Sequence, residues 1–170
     1  MAARERGSAI LAKAEDLGEI LRSLDLTIGV AESCTGGGLA DAITNVAGSS
    51  DYFIGGVVSY ANRVKEKLLN VDPTLLASYG AVSEQVARAM AEGARRLMEV
   101  DLGVGITGIA GPGGGTPEKP VGLVYIALAS DEGSFVRRFQ WKEDRIGNKQ
   151  STIEAALDML LGHLRNGSSS

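Results

Sequence analysis

Two short apolar segments each run directly into a glycine-rich loop, and this arrangement constrains the fold more than any other feature. Residues 27–32 (TIGVAE) precede a turn with three consecutive glycines, and residues 101–107 (DLGVGIT) precede the loop GIAGPGGGTPEKP. Short β-branched apolar runs of this kind are typical of buried strands. Because ligands collect at the carboxyl ends of strands in α/β folds, we expect a functional site at these two loops.

Helical periodicity fills much of the chain outside the predicted strands. Apolar residues at helical spacing predict an opening helix that ends near Leu24 and a last helix with a stripe from Ile153 to Leu164. Shorter helices are predicted up to about Asn45, over 61–70, from Pro73 to Gly80, and after Ser83 as the N-cap.

Three further strands are predicted over 53–60, 121–129 and 134–141, the last two as an antiparallel hairpin. Strands mixed with helices predict a single-domain, three-layer α/β/α sandwich with a mixed sheet. We place this domain at residues 1–166 and predict a disordered tail over 167–170.

One cysteine and one histidine among 170 residues exclude several kinds of site. Cys34 cannot form an intramolecular disulfide, and His163 alone cannot build a site from two or more histidines. We therefore expect no metal and no cofactor. The net charge of −4 argues against nucleic-acid binding, and the longest apolar run, 121–129, is far shorter than a membrane span. These features predict a cytoplasmic protein with no nucleic-acid or membrane partner.

Ser33 lies where the first predicted strand meets its glycine turn. Backbone N–H groups are free at such a helix start, and they can stabilise an oxyanion or hold a phosphate. A plain turn is the alternative, in which Ser33 or Thr35 serves as the N-cap of the next helix. Cys34 is a rival nucleophile because a helix N-terminus lowers a thiol pKa, although a lone cysteine in such a turn more often has a packing role.

A second candidate group surrounds Lys65. Asn62 is a natural N-cap, which would place Lys65 in the first turn of a helix, where the dipole and partial burial both lower a lysine pKa. Such a lysine can act as a base toward a serine hydroxyl. A solvated lysine is the alternative, and Arg63 in the same turn supports it. Tyr60 is either a core residue whose hydroxyl reaches solvent or a proton relay.

The second glycine-rich loop is a weaker candidate. Its glycines permit the close backbone approach that wraps a phosphate, and Lys119 could add charge, but a flexible connector has the same composition. Arg145 could reach an anionic ligand or could simply be solvated. His163 is expected to be a surface residue near the end of the last helix and not a catalyst.

Several uncommon motifs occur in one order: AESCTGG, AGSSDYFIGGVVSYANRVK, GAVSEQVA, GITGIAGPGGG and EKPVG. Over residues 17–164 the chain resembles the CinA C-terminal domain family, which includes stand-alone nicotinamide-nucleotide amidases (NMN deamidases). The resemblance implies hydrolysis of nicotinamide mononucleotide (NMN) to nicotinate mononucleotide and ammonia, in pyridine-nucleotide recycling. It further implies that Ser33 is the nucleophile and that Tyr60 and Lys65 assist it. Larger CinA proteins carry a further N-terminal domain, so we expect the stand-alone form here.

The residue patterns and the resemblance together define an expected site. A Ser–Lys arrangement suits amide hydrolysis without a usable histidine, with backbone N–H groups from Ser33 to Gly37 stabilising the oxyanion. The substrate-binding residues expected are Thr35, Gly36, Gly37, Asn62, Thr107, Gly108, Ala110, Gly111 and Arg145.

Two other functions remain open from the sequence. One is a catalytically weak nucleotide-binding domain that acts as a regulatory or competence- and DNA-damage-associated partner. The other is a cysteine hydrolase that uses Cys34. Because the family commonly self-associates, we expect a homo-oligomer.

Overall fold

A computed structural model of the chain describes residues 3–167, which form six α-helices and five strands. In chain order these are α1 (Ala3–Leu24), β1 (Ile28–Glu32), α2 (Gly38–Thr44), β2 (Phe53–Val58), α3 (Asn62–Leu69), α4 (Pro73–Tyr79), α5 (Glu84–Met98), β3 (Leu102–Gly108), β4 (Leu123–Ser130), β5 (Gly133–Gln140) and α6 (Arg145–Gly167). None of these helices combines the length and apolar character needed to cross a membrane.

The strands form one mixed sheet in the order β2-β1-β3-β4-β5. β1 runs parallel to both of its neighbours, whereas β4 is antiparallel to β3 and to β5. Helices α1, α2 and α6 pack on one another against one face, and α5 covers the other face together with α3 and α4. The predicted single-domain, three-layer α/β/α sandwich is confirmed, as is the β4–β5 hairpin.

Alternation along the strands explains the two cores. Val30 and Val104 point toward α1, α2 and α6, while Ala31 points toward α5. β3 presents glycines to α5: a Cβ added at Gly105 would lie 2.4 Å from the carbonyl oxygen of Ala87. The backbone of α5 therefore lies directly on β3 at Gly103 and Gly105.

Some local expectations need correction. Asn62 is the first residue of α3 and not its cap, because Ala61 occupies the N-cap position without a side-chain hydrogen bond. The strand predicted from residue 121 begins at Leu123, since Gly122 has a φ of 89° and donates its N–H to the carbonyl of Ile109. Gly167, predicted in the tail, ends α6, and residues 168–170 lie outside the described part of the chain.

Candidate functional site

Three parallel strands end at the same edge of the sheet and bring the candidate residues together. Ser33 follows β1, Ser59 follows β2, and Thr107 is the last residue but one of β3. The N–H of Ser33 donates to the carbonyl of Ile106 at 3.0 Å, and the N–H of Ser59 donates to the carbonyl of Glu32 at 2.8 Å. The ladder therefore continues past β1 and sets Ser33 and Ser59 side by side.

Lys65 reaches this edge from the first turn of α3. Its side chain is buried, and Nζ lies 3.2 Å from Ser33 Oγ, 2.6 Å from the carbonyl oxygen of Ser59 and 3.4 Å from that of Tyr60. Burial lowers the pKa of Lys65 from its usual value, and the nearby Cys34 acts more weakly in the opposite direction. The structure thus brings together Ser33 and Lys65, which are 32 positions apart.

As an ammonium, Lys65 donates to all three of these oxygens, and as a neutral amine it can instead accept the hydroxyl proton of Ser33. A neutral amine has two N–H groups and one lone pair, and carbonyl oxygens can only accept hydrogen bonds. When the two N–H groups point to Ser59 and Tyr60, the lone pair is left for the hydroxyl proton of Ser33. This is the arrangement of a base and the nucleophile that it activates.

Glu32 is the residue of this site that the sequence analysis missed. It is buried, and its carboxylate accepts hydrogen bonds from the Thr35 hydroxyl at 2.5 Å and from three backbone N–H groups. These N–H groups belong to Gly37, Leu39 and Ala40, at 3.2, 3.1 and 2.9 Å. Glu32 thereby caps α2, which neither Ser33 nor Thr35 does. An acidic residue that closes an apolar strand just before a helix was the available signal.

The turn between Ser33 and Gly38 keeps fewer free donors than expected. The N–H groups of its three glycines donate to carbonyls within the turn or to the Glu32 carboxylate. Among residues 3–167 no carbonyl accepts the N–H groups of Cys34 and Thr35, and that of Cys34 faces only its own thiol. The expectation that the whole turn offers donors is therefore wrong, and two N–H groups next to Ser33 remain for an oxyanion.

Cys34 is buried among apolar side chains of the α1–α2–α6 core. Burial raises the pKa of its thiol to about 12, with a smaller contribution from the negative charge of Glu32. The expected lowering of this pKa by the helix N-terminus is wrong, because burial of the thiol outweighs it. A thiol that stays protonated at neutral pH is a poor nucleophile.

The second glycine-rich loop is held from α6. Arg145, the first residue of α6, donates to the carbonyl of Gly111 at 2.7 Å and to the hydroxyl of Tyr60 at 3.2 Å. Asn148, buried one turn later, donates to the carbonyl of Ala110 at 3.0 Å. Arg145 therefore connects the loop to Tyr60, whose side chain is 61% exposed and turns toward Arg145.

Other expected residues make structural contacts. The buried Thr107 donates its hydroxyl to the carbonyl of Ala81 at 2.8 Å. Lys119 bonds the carbonyl of Tyr79, which ties the loop to the end of α4. Asn62 is exposed at the start of α3. His163 lies far along α6, with its ring 6.0 Å from that of Phe135.

A cavity of about 320 Å³ lies beside the first turn, between its glycines and α6. Lys149 lines it, and the Nζ of Lys149 would lie 3.7 Å from a Cβ added at Gly36. Two larger cavities of about 390 Å³ lie at the other end of the fold and include none of the expected site residues. Asn148 and Lys149 were both missed, since nothing in their sequence neighbourhood indicates which loop they meet. Within residues 3–167 no three His, Cys, Asp or Glu side chains are grouped so as to hold a metal ion.

Comparison with known sequences identifies relatives over most of the chain. The sequence model of the family described as CinA C-terminal domain matches residues 11–164. Two proteins named CinA-like protein, from Microcystis aeruginosa and Geobacter sulfurreducens, are 54% and 48% identical over 151 and 163 residues. The alignments cover 87% and 92% of this chain but 36% and 40% of those relatives. The chain thus spans well under half the length of the curated relatives that it matches.

Solved structures agree with the fold. The competence/damage inducible protein CihA from Agrobacterium tumefaciens has a TM-score of 0.89 at 39% identity, over 92% of this chain and 96% of that one. A competence-damaged protein (CinA) superfamily protein from Escherichia coli has a TM-score of 0.87 at 32% identity, over 89% and 88%. The chain therefore belongs to the family of CinA C-terminal domains.

Proposed function

We propose that this domain is a serine amidase that hydrolyses the carboxamide of nicotinamide mononucleotide to nicotinate mononucleotide and ammonia. The observation that carries the proposal is the buried Lys65 Nζ, 3.2 Å from Ser33 Oγ, with a pKa lowered by burial. The choice of substrate rests on the resemblance of the motifs to nicotinamide-nucleotide amidases. The printed names of the relatives say only CinA-like or competence/damage inducible.

Acylation begins with the neutral amine of Lys65. Its lone pair takes the hydroxyl proton of Ser33 as Oγ attacks the amide carbon. The carbonyl oxygen becomes an oxyanion, for which the N–H groups of Cys34 and Thr35 are the nearby unpaired donors. The ammonium of Lys65 then returns the proton to the leaving nitrogen, so that ammonia departs and Ser33 carries the acyl group as an ester.

Deacylation reverses these roles. Lys65, neutral again, takes a proton from water as the water oxygen attacks the ester carbon. The C–O bond to Ser33 breaks, and the proton passes from Lys65 to Oγ. Arg145 and Lys149 are the cations of α6 that lie nearest the two glycine loops, and they are suited to the substrate phosphate.

Ammonia release from nicotinamide mononucleotide tests the proposal, with the nicotinate product followed by chromatography. Ser33→Ala should lower kcat by at least about 10³-fold, because the acyl-enzyme cannot form. Lys65→Met should lower kcat by about 10²- to 10⁴-fold and leave KM nearly unchanged.

Two matched controls lie next to these positions. Cys34→Ser should keep most of the activity, and so should Lys67→Met, which removes an exposed lysine from the same helix. Loss of activity in Cys34→Ser but not in Ser33→Ala would contradict the serine mechanism.

A second candidate function is nucleotide binding without efficient turnover, as part of a regulatory or DNA-damage-associated protein. The names of the relatives refer to competence and damage, which supports this second candidate. Wild-type protein that binds nicotinamide mononucleotide in calorimetry but releases no ammonia would support this candidate over the amidase.

We also propose that the domain self-associates through β2. β2 is an edge strand of the sheet, so its outer backbone groups have no strand partner among the described residues. Ile54 and Val58 on this strand are 52% and 49% exposed. Light scattering should give a larger particle for wild type than for Ile54→Lys, and a monomeric wild type would contradict the proposal.

A further inference from the structure

The buried carboxylate of Glu32 takes no part in the proposed proton transfers, yet it lies against the turn that carries Ser33. It accepts four hydrogen bonds, one from the Thr35 hydroxyl and three from the N–H groups of Gly37, Leu39 and Ala40 at the start of α2. All four partners are donors, which is the pattern of an ionised carboxylate. A full negative charge is therefore held at the positive end of α2, only 1% exposed.

This charge changes what the turn can bind. A helix N-terminus normally attracts anions through free N–H groups and a positive field. At the start of α2 these N–H groups are already paired, those of Leu39 and Ala40 with Glu32. The negative charge of Glu32 also offsets the positive field of the helix. The two donors that remain belong to Cys34 and Thr35, and Thr35 itself holds the carboxylate at 2.5 Å. A ligand group placed at Ser33 therefore meets a fixed negative charge close by.

The proposed reaction changes the charge of the ligand at this point. The carboxamide is neutral, and so is the ester on Ser33. When water adds across the ester bond, its hydroxyl goes to the acyl carbon and a proton returns to Ser33 Oγ through Lys65. The acid then loses its proton to solvent, which leaves a carboxylate where the oxyanion was.

One cation near the turn acts on that carboxylate in the opposite sense. Lys149 lines the cavity beside the turn, and its Nζ would lie 3.7 Å from a Cβ added at Gly36. Lys65 is neutral at this stage, because its proton has passed to Ser33 Oγ. Without Glu32, the product would be held by Lys149 and the N–H groups of Cys34 and Thr35.

We infer that Glu32 is a specificity-determining residue, which makes the site at Ser33 favour the neutral amide over the anionic acid and thereby promotes product release. This inference rests on the proposed function. If Glu32 only capped α2, its charge would have no effect on which ligand binds. The inference gives this charge a role in ligand selection.

Calorimetry in a Ser33→Ala background tests the inference, because that variant does not turn over the amide. The probes are nicotinamide mononucleotide and nicotinate mononucleotide, and the measured quantity is the ratio of their dissociation constants. Ser33→Ala should bind the acid more weakly than the amide. Adding Glu32→Gln, which is close in shape but uncharged, should shift the ratio toward the acid by about tenfold.

Glu32→Asp is the matched control, since it shortens the side chain and leaves the charge beside the turn. Its ratio should equal that of Ser33→Ala. Thermal unfolding of each variant shows whether it is folded. Should Glu32→Gln not fold, Ser33→Ala alone still decides, because tighter binding of the acid than of the amide would overturn the inference.

Two further outcomes distinguish failure of the inference from failure of the proposed function. Equal weakening of both probes in Glu32→Gln would mean that Glu32 acts on structure alone, and it would overturn the inference while leaving the amidase proposal intact. Failure of Ser33→Ala to bind either mononucleotide would overturn the proposed function, and the inference with it.

Discussion

The two glycine-rich loops resemble each other in sequence but are held in different ways. The turn after β1 is fixed from within, because Glu32 binds groups that follow it by three to eight positions. The loop after β3 is fixed from a distance, because Arg145 and Asn148 bind carbonyls that precede them by 34 and 38 positions. The first loop carries Ser33, the proposed nucleophile, and has a local support. The second contacts the periphery of the site and depends on the last helix.

The largest expected effect is the pH dependence of activity, which depends on Ser33 in the first loop and on Lys65 of α3 beside it. Lys65 must be neutral to act as the base, so activity falls as pH decreases through its pKa. Because burial lowers that pKa from the model-compound value of 10.5, this acidic limb should lie below pH 10.5. At pH values below the pKa of Lys65, kcat/KM should fall by about tenfold for each pH unit.

A pH profile of ammonia release checks this expectation. The limb should stay in place in Asn148→Ala, which alters only the second loop. A wild-type profile without an acidic limb would contradict the role of Lys65.

The next largest effect concerns the local support. Glu32→Ala leaves four donors unpaired, three of them in the backbone, and should lower the free energy of unfolding by about 3 kcal/mol. Urea denaturation measures this change. Glu143→Ala is the matched control, because Glu143 also pairs with a hydroxyl and a cation but on the surface. It should cost less than about 1 kcal/mol, and an equal loss in both variants would contradict the special position of Glu32.

The distant support should give a smaller effect. Asn148→Ala removes one buried hydrogen bond to Ala110 and one from the backbone N–H of Glu143, for a loss of about 2 kcal/mol. Under the proposed function KM should rise more than kcat falls, because the second loop is expected to bind the substrate and does not include the proton-transfer groups Ser33 and Lys65. Asn166→Ala, in the exposed last turn of α6, is the control and should change neither quantity.

The smallest effect is expected for Arg145→Met. Arg145 is exposed, so the free energy of unfolding should change by no more than about 0.5 kcal/mol. KM should rise about fivefold, and Arg145→Lys should not restore it, because a single ammonium cannot reach Gly111 and Tyr60 together. Arg63→Met controls for the loss of a nearby exposed charge, and a full rescue by lysine would show that charge alone matters.

Much of the fold could be predicted because its signals are local. Short β-branched runs, helical periodicity, the N-cap Ser83 and the proline that opens α4 each depend on a few neighbouring residues. The position of Lys65 in a first turn was predicted for the same reason, although Asn62 does not cap that turn.

The site was predictable only in part. The proximity of Ser33 and Lys65 follows from parallel strands that end at one edge of the sheet, which periodicity and resemblance could indicate. The contact between Asn148 and Ala110 depends on how α6 crosses the sheet, and no local pattern encodes that crossing. Glu32 was predictable to an intermediate degree. A buried carboxylate needs hydrogen-bond partners, but the sequence does not indicate which residues supply them.

The dependence of the second loop on α6 has a consequence for synthesis on the ribosome. A nascent chain emerges from its N-terminus, so β1, α3 and β3 are available before Arg145 and Asn148 are added. Until the final helix has emerged, the serine and lysine can approach each other, but the carbonyls of Ala110 and Gly111 lack their donors. The domain therefore completes the surroundings of Ser33 last, only after β1, α3 and β3 have emerged.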